Sequence, residues 1–310
     1  MKNFLPVVIL FSFLFSCKKH VAEGESVKSK LVSIRNADPI TPTVYTTQLE
    51  YDAQKRIVKV VKQTNGVTNL ISTITYANNQ IIINRPVNGN IIEDDITYTV
   101  DGNGMPLKRI RRAYSEVNNP GFIAKYITFD TAIYEYASSG LLSKTISYVK
   151  DSSDVDNSGT HQLSTFTRTE TTLFTNEGNR LKNSFSKSVV YGIHRIGNNI
   201  TNSTSLYEKS NTYEYLKSYP NKMDYANMVV LNECVYTYFI GFFMNKNLSN
   251  LPDRMIYYNT IYDVNGVGNR SADYITKADL EFDSYGYLST VKGLDNNYTP
   301  SSTTTFTYTR

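Results

Sequence analysis

The chain has 310 residues, of which 40% are hydrophobic and 19% charged, and its formal net charge is +4 at pH 7. This composition is typical of a globular protein with enough residues for one large or two small domains. The net charge is too small to indicate binding to nucleic acid, and we expect no nucleic-acid partner.

The N-terminus has the features of a bacterial lipoprotein signal. Lys2 is followed by an apolar run that ends at Phe15 and is too short to span a bilayer as a helix. The next two residues, Ser16 and Cys17, resemble the end of a lipobox, in which a small residue precedes the acylated cysteine. We therefore predict a signal peptide at residues 1–16 and lipidation of Cys17. The alternatives are a general secretory signal with an incidental cysteine and an uncleaved anchor.

Lipidation of Cys17 would make a membrane the first partner of the protein. Acyl chains such as palmitate contribute about 0.8 kcal/mol per buried methylene, so two or three of them hold a protein at a membrane. We expect the cell envelope, with an outer-membrane lipid anchor. Residues 17–43 are predicted to be the lipidated N-terminus and a polar tether. The chain has two cysteines, and acylation of Cys17 leaves Cys234 without a partner, so no intramolecular disulfide is expected in the mature chain.

The remainder of the chain, residues 44–310, is predicted to be a single all-β domain. It is rich in Tyr and Phe, which favour strands, and in Asn, Asp and Gly, which favour turns. Apolar and polar residues alternate around Ile96, Ile146, Leu280 and Phe306, as in strands with one apolar face. This alternation favours a large antiparallel meander that is strongly twisted. Because free sheet edges promote aggregation, a barrel-like shape is expected.

An internal repeat predicts where the hairpins lie. Each copy has an aromatic strand end, a short turn and an apolar strand start, and the turn needs a residue at positive φ, which Gly adopts readily. The closest copies are Phe282-Asp283-Ser284-Tyr285-Gly286-Tyr287-Leu288, Tyr136-Ala137-Ser138-Ser139-Gly140-Leu141-Leu142 and Tyr51-Asp52-Ala53-Gln54-Lys55-Arg56-Ile57, the last with Lys55 in place of Gly. Residues 100–107 and 174–181 form longer copies.

These units resemble the YD hairpins of RHS-type proteins. Together with the lipobox, Tyr219-Pro220-Asn221-Lys222 and Lys246-Asn247-Leu248-Ser249-Asn250-Leu251-Pro252, they resemble an uncharacterised Bacteroidetes-type lipoprotein family. The resemblance implies an antiparallel, barrel-like sheet and an outer-membrane location. It implies no activity and no catalytic residue.

The repeat fades at about residues 189–278, which contain the most apolar stretch, residues 228–244. Asn232 and Glu233 interrupt this stretch and argue against a transmembrane helix. One interpretation is a buried strand or short helix that seals the sheet. The other is the lining of a pocket for an apolar ligand. The ligand-binding candidates in that case are Tyr236, Tyr238, Phe239 and Phe242.

Catalytic and metal-binding motifs are weak. No His-Glu-x-x-His or Gly-x-Ser-x-Gly motif occurs, so we expect neither an enzyme nor a cofactor. Asp154, Asp156 and Ser158 resemble the first half of a calcium loop, although Thr165 stands where an EF-hand places its Glu. The alternative for these three residues is a polar hairpin tip in a longer loop at residues 150–162.

Two charged clusters are interpreted as exposed parts of the sheet, the first as a solvated sheet face and the second as a solvated or edge-protecting strand. The first is Arg109-Ile110-Arg111-Arg112, and the second is Glu93-Asp94-Asp95, in which Asp94 faces away from its two neighbours. The 25 tyrosines allow two interpretations, which are ordinary cross-strand packing and an aromatic surface for recognition.

The sequence therefore favours a lipid-anchored envelope protein that is a non-enzymatic binding or scaffolding module, with a glycan, lipid or protein as ligand. The alternative is a carrier of a lipid or other apolar ligand in a cavity lined by residues 228–244. A third hypothesis is an envelope hydrolase that uses dispersed carboxylates.

Overall fold

The structure is a computed structural model. It describes residues 30–37, 43–85, 91–215, 219–220, 227–234, 250–251, 254–262, 266–271, 274–285, 287–294 and 300–309. The described chain is almost entirely antiparallel β-sheet, as predicted.

The first twelve strands follow one another with short connections. They are β1 (Lys30–Ala37), β2 (Val44–Tyr51), β3 (Ile57–Thr64), β4 (Val67–Ala77), β5 (Gln80–Arg85), β6 (Ile91–Val100), β7 (Pro106–Asn119), β8 (Phe122–Tyr136), β9 (Leu142–Asn157), β10 (Thr160–Glu177), β11 (Arg180–Ile196) and β12 (Asn199–Glu214). The remaining elements are β13 (Tyr219–Pro220), α1 (Met228–Cys234), β14 (Asn250–Leu251), β15 (Arg254–Tyr262), β16 (Gly268–Arg270), β17 (Tyr274–Phe282), β18 (Leu288–Leu294) and β19 (Pro300–Thr309).

The large sheet is a meander. Each strand from β1 to β12 pairs with the next one in the chain. The pairing then continues from β12 to β15, from β15 to β16 and β17, and on to β18 and β19. Because β1 also pairs with β19, the first and last strands of the sheet lie side by side. The predicted antiparallel, barrel-like meander is thereby confirmed. A separate two-stranded sheet contains β13 and β14.

The predicted YD turns connect strands as expected. Lys55, Gly104, Gly140 and Gly178 have φ angles of 63°, 79°, 75° and 57°, so each of these four copies has one residue in the left-handed region. The Asp side chain of the repeat also has a role that the sequence did not indicate. Asp101 Oδ1 accepts hydrogen bonds from the backbone N–H groups of Asn103 and Met105, both at 2.8 Å, and so closes the turn.

Five tyrosines at or near strand ends form a ring of hydrogen bonds at the same end of the sheet. Each hydroxyl donates to a carbonyl near the start of a neighbouring strand. The pairs are Tyr51 with Leu31, Tyr76 with Ile57, Tyr136 with Pro106, Tyr215 with Leu181 and Tyr308 with Leu288, and the last four are all 2.9 Å long. We call these five residues the tyrosine collar. Their role is cross-strand packing, which is one of the two predicted roles for the tyrosines.

The hydrophobic core lies on one face of the sheet, next to the collar. Ile57, Ile83, Ile96, Leu181 and Val230 are fully buried there. We call this face the inner face and this end of the molecule the core end. The helix α1 lies against the inner face, because its Val229, Val230 and Leu231 belong to the core. The part of residues 228–244 that the structure describes is thus a short buried helix, one of the two predicted forms.

The strands differ strongly in length. β7 to β12 have 14 to 18 residues, whereas β1 to β6 have 6 to 11. At about 3.3 Å per residue, this difference extends the longer strands by roughly 25 Å. We call residues 116–130, 149–168 and 190–205 the distal wall. Residues 116–125 lie beyond the paired end of β6, and residues 122–130, 149–168 and 190–205 lie beyond the paired end of β15.

Two predicted boundaries are wrong. The predicted tether at residues 17–43 contains β1, which pairs with β2 and β19. A register shift between Leu31 and Ser33 breaks the two-residue alternation, which concealed this strand in the sequence. The predicted long loop at residues 150–162 is instead a continuation of β9 and β10, joined by a turn at Ser158 and Gly159. Both turn residues have positive φ, as tight hairpins require.

Candidate functional site

Several predicted site residues lie outside the described residues. They are the lipidation site Cys17 and the four ligand-binding candidates Tyr236, Tyr238, Phe239 and Phe242. Lipidation and an apolar pocket at these positions therefore stay predictions.

The predicted calcium ligands lie at the tip of the β9–β10 hairpin, in the distal wall. Asp154 Oδ1 and Asp156 Oδ2 are 3.8 and 3.4 Å from the two ring nitrogens of His161. The other oxygen of Asp156 accepts a hydrogen bond of 2.9 Å from the Gly159 N–H. The N–H of Ser158 donates to the Gly121 carbonyl in the adjacent hairpin. Calcium binding stays a prediction. Asp154 and Asp156 both lie beside His161, and Ser158 is hydrogen-bonded to the backbone of Gly121.

In the described parts of the chain, no group of three or more His, Cys, Asp or Glu side chains is arranged to hold a metal ion. Over the same parts, no helix has the length and hydropathy that crossing a bilayer requires.

A cluster of charges on the inner face was not predicted. Asp94 lies between two arginines, with 2.8 Å from its Oδ2 to Arg85 Nη1 and 2.8 Å from its Oδ1 to Arg111 Nε. Arg109 pairs with Glu233 at 3.0 Å, and it also pairs with Asp130. Three arginines thus face three carboxylates. Because Glu233 belongs to α1, the cluster ties the helix to β5, β7 and β8.

The cluster shifts the pKa values of Asp94 and of the neighbouring Tyr98. Burial alone would raise the pKa of Asp94, but hydrogen bonds from Arg111 and Arg85 outweigh it and hold this pKa below its usual value. Burial and the neighbouring Glu233 raise the pKa of Tyr98 well above its usual value. Tyr98 donates a hydrogen bond to the Glu233 carboxylate. Asp94 is therefore ionised at neutral pH, and Tyr98 is protonated.

This cluster corrects the interpretation of both charged motifs as exposed parts of the sheet. Arg109, Arg111 and Asp94 face inward and are paired, whereas Ile110 and Arg112 face outward. The alternation of side chains along a strand was the available signal, because it separates Asp94 from Glu93 and Asp95. The sequence did not show that the face that carries Asp94 is the inner one.

The inner face of the distal wall is polar. Its residues are identified by register with the inward-facing Asp130 and Ala132 of β8, because directly paired residues in antiparallel strands share a face. One row across five strands contains Thr128, Asp151, Phe166, Gly192 and Ser203, and the next contains Tyr126, Ser153, Ser164, His194 and Thr201. Most of these side chains are hydroxyls or are charged.

The centre of this inner face is an aromatic pair. The rings of Phe166 and His194 meet edge to face with 4.9 Å between their centroids. His194 Nδ1 is 3.0 Å from Ser164 Oγ, which fixes the orientation of the imidazole. A Cβ at Gly192 would lie 3.0 Å from Phe166 Cε1 and 2.6 Å from Ser203 Oγ. The absence of a side chain at Gly192 therefore allows Phe166 to pack directly against the sheet.

The outer face of the β7–β12 sheet carries apolar side chains. Ile127, Phe129, Tyr148, Val189 and Tyr191 are 40 to 49% exposed. The predicted alternation at Ile146 and Tyr148 thus exists, but the apolar side chains face outward. A sequence pattern shows that a strand has two unlike faces and leaves open which of them is buried.

A groove of about 420 Å³ lies between the tips of the β7–β8 and β9–β10 hairpins. Asn118, Ile123 and Asp156 are among its lining residues. The distal wall therefore offers three distinct surfaces, namely the polar inner face, the apolar outer face and this groove.

No protein-family model matches the chain, and no curated protein matches it. Among solved structures, a porin-like protein from Bacteroides vulgatus is similar, with a TM-score of 0.47, 16% identity, and coverage of 91% of this chain and 99% of that one. A porin-like protein from Bacteroides uniformis has a TM-score of 0.48, 9% identity, and coverage of 92% and 99%. Identities this low carry no information about function.

Proposed function

We propose that the chain is an exported, lipid-anchored protein of the cell envelope, and that its distal wall is a non-enzymatic binding surface. The export and anchoring parts rest on the sequence of residues 1–17, in which a short apolar run ends in Ser16 and Cys17. The binding part rests on the position and exposure of the distal wall.

The observation that carries the proposal is that the first described strand begins at the core end, opposite the distal wall. Lys30, the first described residue after Cys17, pairs with Thr309 at the core end. The hairpin tips at residues 120–121, 158–159 and 197–198 lie at the opposite ends of the long strands. A lipid on Cys17 would thus attach the core end to the membrane and present the distal wall away from it.

The second support is the contrast between the two ends. At the core end, the inner face is filled by the apolar core and α1, and the collar tyrosines bond to carbonyls. In the distal wall, Asp151, Arg168 and Ser203 are exposed on the inner face, and Phe129 and Tyr191 are exposed on the outer face. Extended strands with exposed side chains on both faces are suited to contact a ligand or partner.

Site-specific photocrosslinking in cells tests this proposal. A photoreactive residue is placed in the full-length chain at Asn119 or Ser158 in the distal hairpins, and as a control at Asn103 or Ser138 in core-end turns. All four positions are exposed. We expect a discrete adduct with an envelope component from the distal positions alone. Adducts from the core-end positions alone, or no adduct from any position, would refute a distal binding surface.

A further inference from the structure

We infer that the inner face of the distal wall binds a glycan, laid across β8 to β12 over Phe166. This inference rests on the proposed function, since it names the class of ligand that the distal wall takes. It is carried by the chemistry of the inner patch, which we define as Asp151, Phe166, Arg168, His194 and Ser203.

The patch has the width that an extended ligand needs. The row from Thr128 through Phe166 to Ser203 crosses five neighbouring strands by direct pairing. At about 4.8 Å between strands, it spans roughly 19 Å. The neighbouring row, from Tyr126 to Thr201, runs beside it on the same face. Together they form a surface rather than a point site.

Phe166 is a prearranged aromatic platform. It is half-buried, it packs over Gly192, and His194 contacts it edge to face. The bond between His194 and Ser164 holds the imidazole in place. The C–H faces of a sugar ring stack on such a platform, and a fixed ring loses little conformational freedom when a ligand binds.

Polar groups surround the platform. Asp151 is exposed and accepts a hydrogen bond of 2.8 Å from Thr128 Oγ1, which orients its carboxylate. Arg168 is exposed two residues beyond Phe166 on the same face. Asp130 follows Thr128 on the inner face of β8, and its Oδ1 has no hydrogen-bond partner among the described residues although it is buried. Carboxylates and a guanidinium can bind sugar hydroxyls through charge-assisted hydrogen bonds.

The same chemistry disfavours an apolar ligand. Contact between acyl chains and the inner patch would remove water from Asp151, Arg168 and Ser203 without replacing their hydrogen bonds, which costs free energy at each group. A glycan provides both ring faces for Phe166 and hydroxyls for the polar groups. The patch therefore fits a hydroxyl-rich, uncharged chain better than a lipid.

Isothermal titration of the full-length protein in mild detergent tests the inference. The probes are cellohexaose, mannohexaose, xylohexaose, maltohexaose and chitohexaose, and the variants are Phe166→Ala and Asp151→Asn. The control is Tyr191→Ala, which removes an exposed aromatic from the outer face next to Gly192. We expect at least one probe to bind, at least tenfold weakening in both inner variants, and a change below twofold in the control. Far-ultraviolet circular dichroism checks that each variant is folded.

Two results would overturn the glycan inference. One is that none of the five probes binds, and the other is that Tyr191→Ala weakens binding as much as Phe166→Ala does. If adducts still form at Asn119 or Ser158 in cells while no probe binds, the distal wall binds a ligand of another class, and only the glycan inference fails. If both experiments are negative, the proposed function fails as well.

Discussion

Asp94 shows how a buried charge is stabilised inside this sheet. It is 5% exposed, and both of its oxygens accept hydrogen bonds from arginines on neighbouring strands. Removing one partner from a buried ion pair is costly because the remaining charges stay without compensation. Asp94 is therefore required for stability, whatever ligand the protein binds.

We predict that Asp94→Asn lowers the free energy of unfolding by about 3 kcal/mol at pH 7, since Arg85 and Arg111 lose their shared carboxylate. The pKa of Asp94 is lower in the folded than in the unfolded protein. Its contribution to stability is therefore present above the unfolded pKa of about 4 and is lost as the pH falls through the folded pKa. Urea denaturation between pH 7 and pH 2 measures both effects. An unchanged acid dependence in the variant would show that Asp94 is not the group responsible.

Lys55 stands at a turn position where other copies of the repeat have Gly, and this difference is visible in the sequence. It has a φ of 63°, where a side chain is disfavoured, while Gly140 occupies the matching position of another copy at 75°. Residue-level prediction succeeded here because turn geometry depends on a few neighbouring residues. It failed for Arg109 and Arg111, because their partners Glu233 and Asp94 lie on other elements.

We predict that Lys55→Gly raises the free energy of unfolding by up to about 1 kcal/mol, because glycine adopts this conformation without strain. The matched control is Gly140→Ala, which should lower it by about 1 kcal/mol or more. Both values come from denaturant unfolding. A loss of stability in Lys55→Gly would mean that the lysine side chain contributes more than the backbone strain costs.

At the scale of elements, α1 is the feature that periodicity alone could not assign. A short apolar run fits a buried strand as well as a buried helix. In the structure, Leu231 packs in the core and Glu233 joins the charge cluster. Asn227, just before the helix, accepts a 2.8 Å hydrogen bond from the Ile57 N–H and donates one of 3.0 Å to the Lys55 carbonyl. The helix is thus held at both ends.

We predict that Leu231→Ala lowers the free energy of unfolding by about 3 kcal/mol through lost burial and a residual cavity. Leu163→Ala is the control, because Leu163 is 45% exposed on the outer face and its truncation should change stability by less than about 0.5 kcal/mol. Equal, small effects in the two variants would show that α1 does not pack in the core.

At the scale of the whole molecule, the all-β meander was predictable because the hairpin repeat recurs along the chain. The distal wall was not, since the strand ends of β9 and β10 are rich in Asp, Ser and Thr and resemble a loop. Their strand conformation comes from continuous pairing with β8 and β11. The sequence did not indicate the inner patch for the same reason, because its residues become neighbours only through the register of the paired strands.

We predict that Cys17→Ala releases the protein from the membrane fraction of the source cells, because the acyl chains provide the attachment. Cell fractionation and metabolic labelling with palmitate measure this outcome. Continued labelling of the variant, or unchanged membrane retention, would argue for attachment through another part of the chain.

We propose that ligand binding takes place at the distal wall, and this proposal is open to a direct test. Hydrogen–deuterium exchange of the full-length protein, with and without envelope extract, locates the contact directly. We predict slower exchange in residues 122–130, 149–168 and 190–205, and unchanged exchange in the core-end turns at residues 52–56 and 101–105. Protection confined to the core end, or no protection at all, would contradict the proposal.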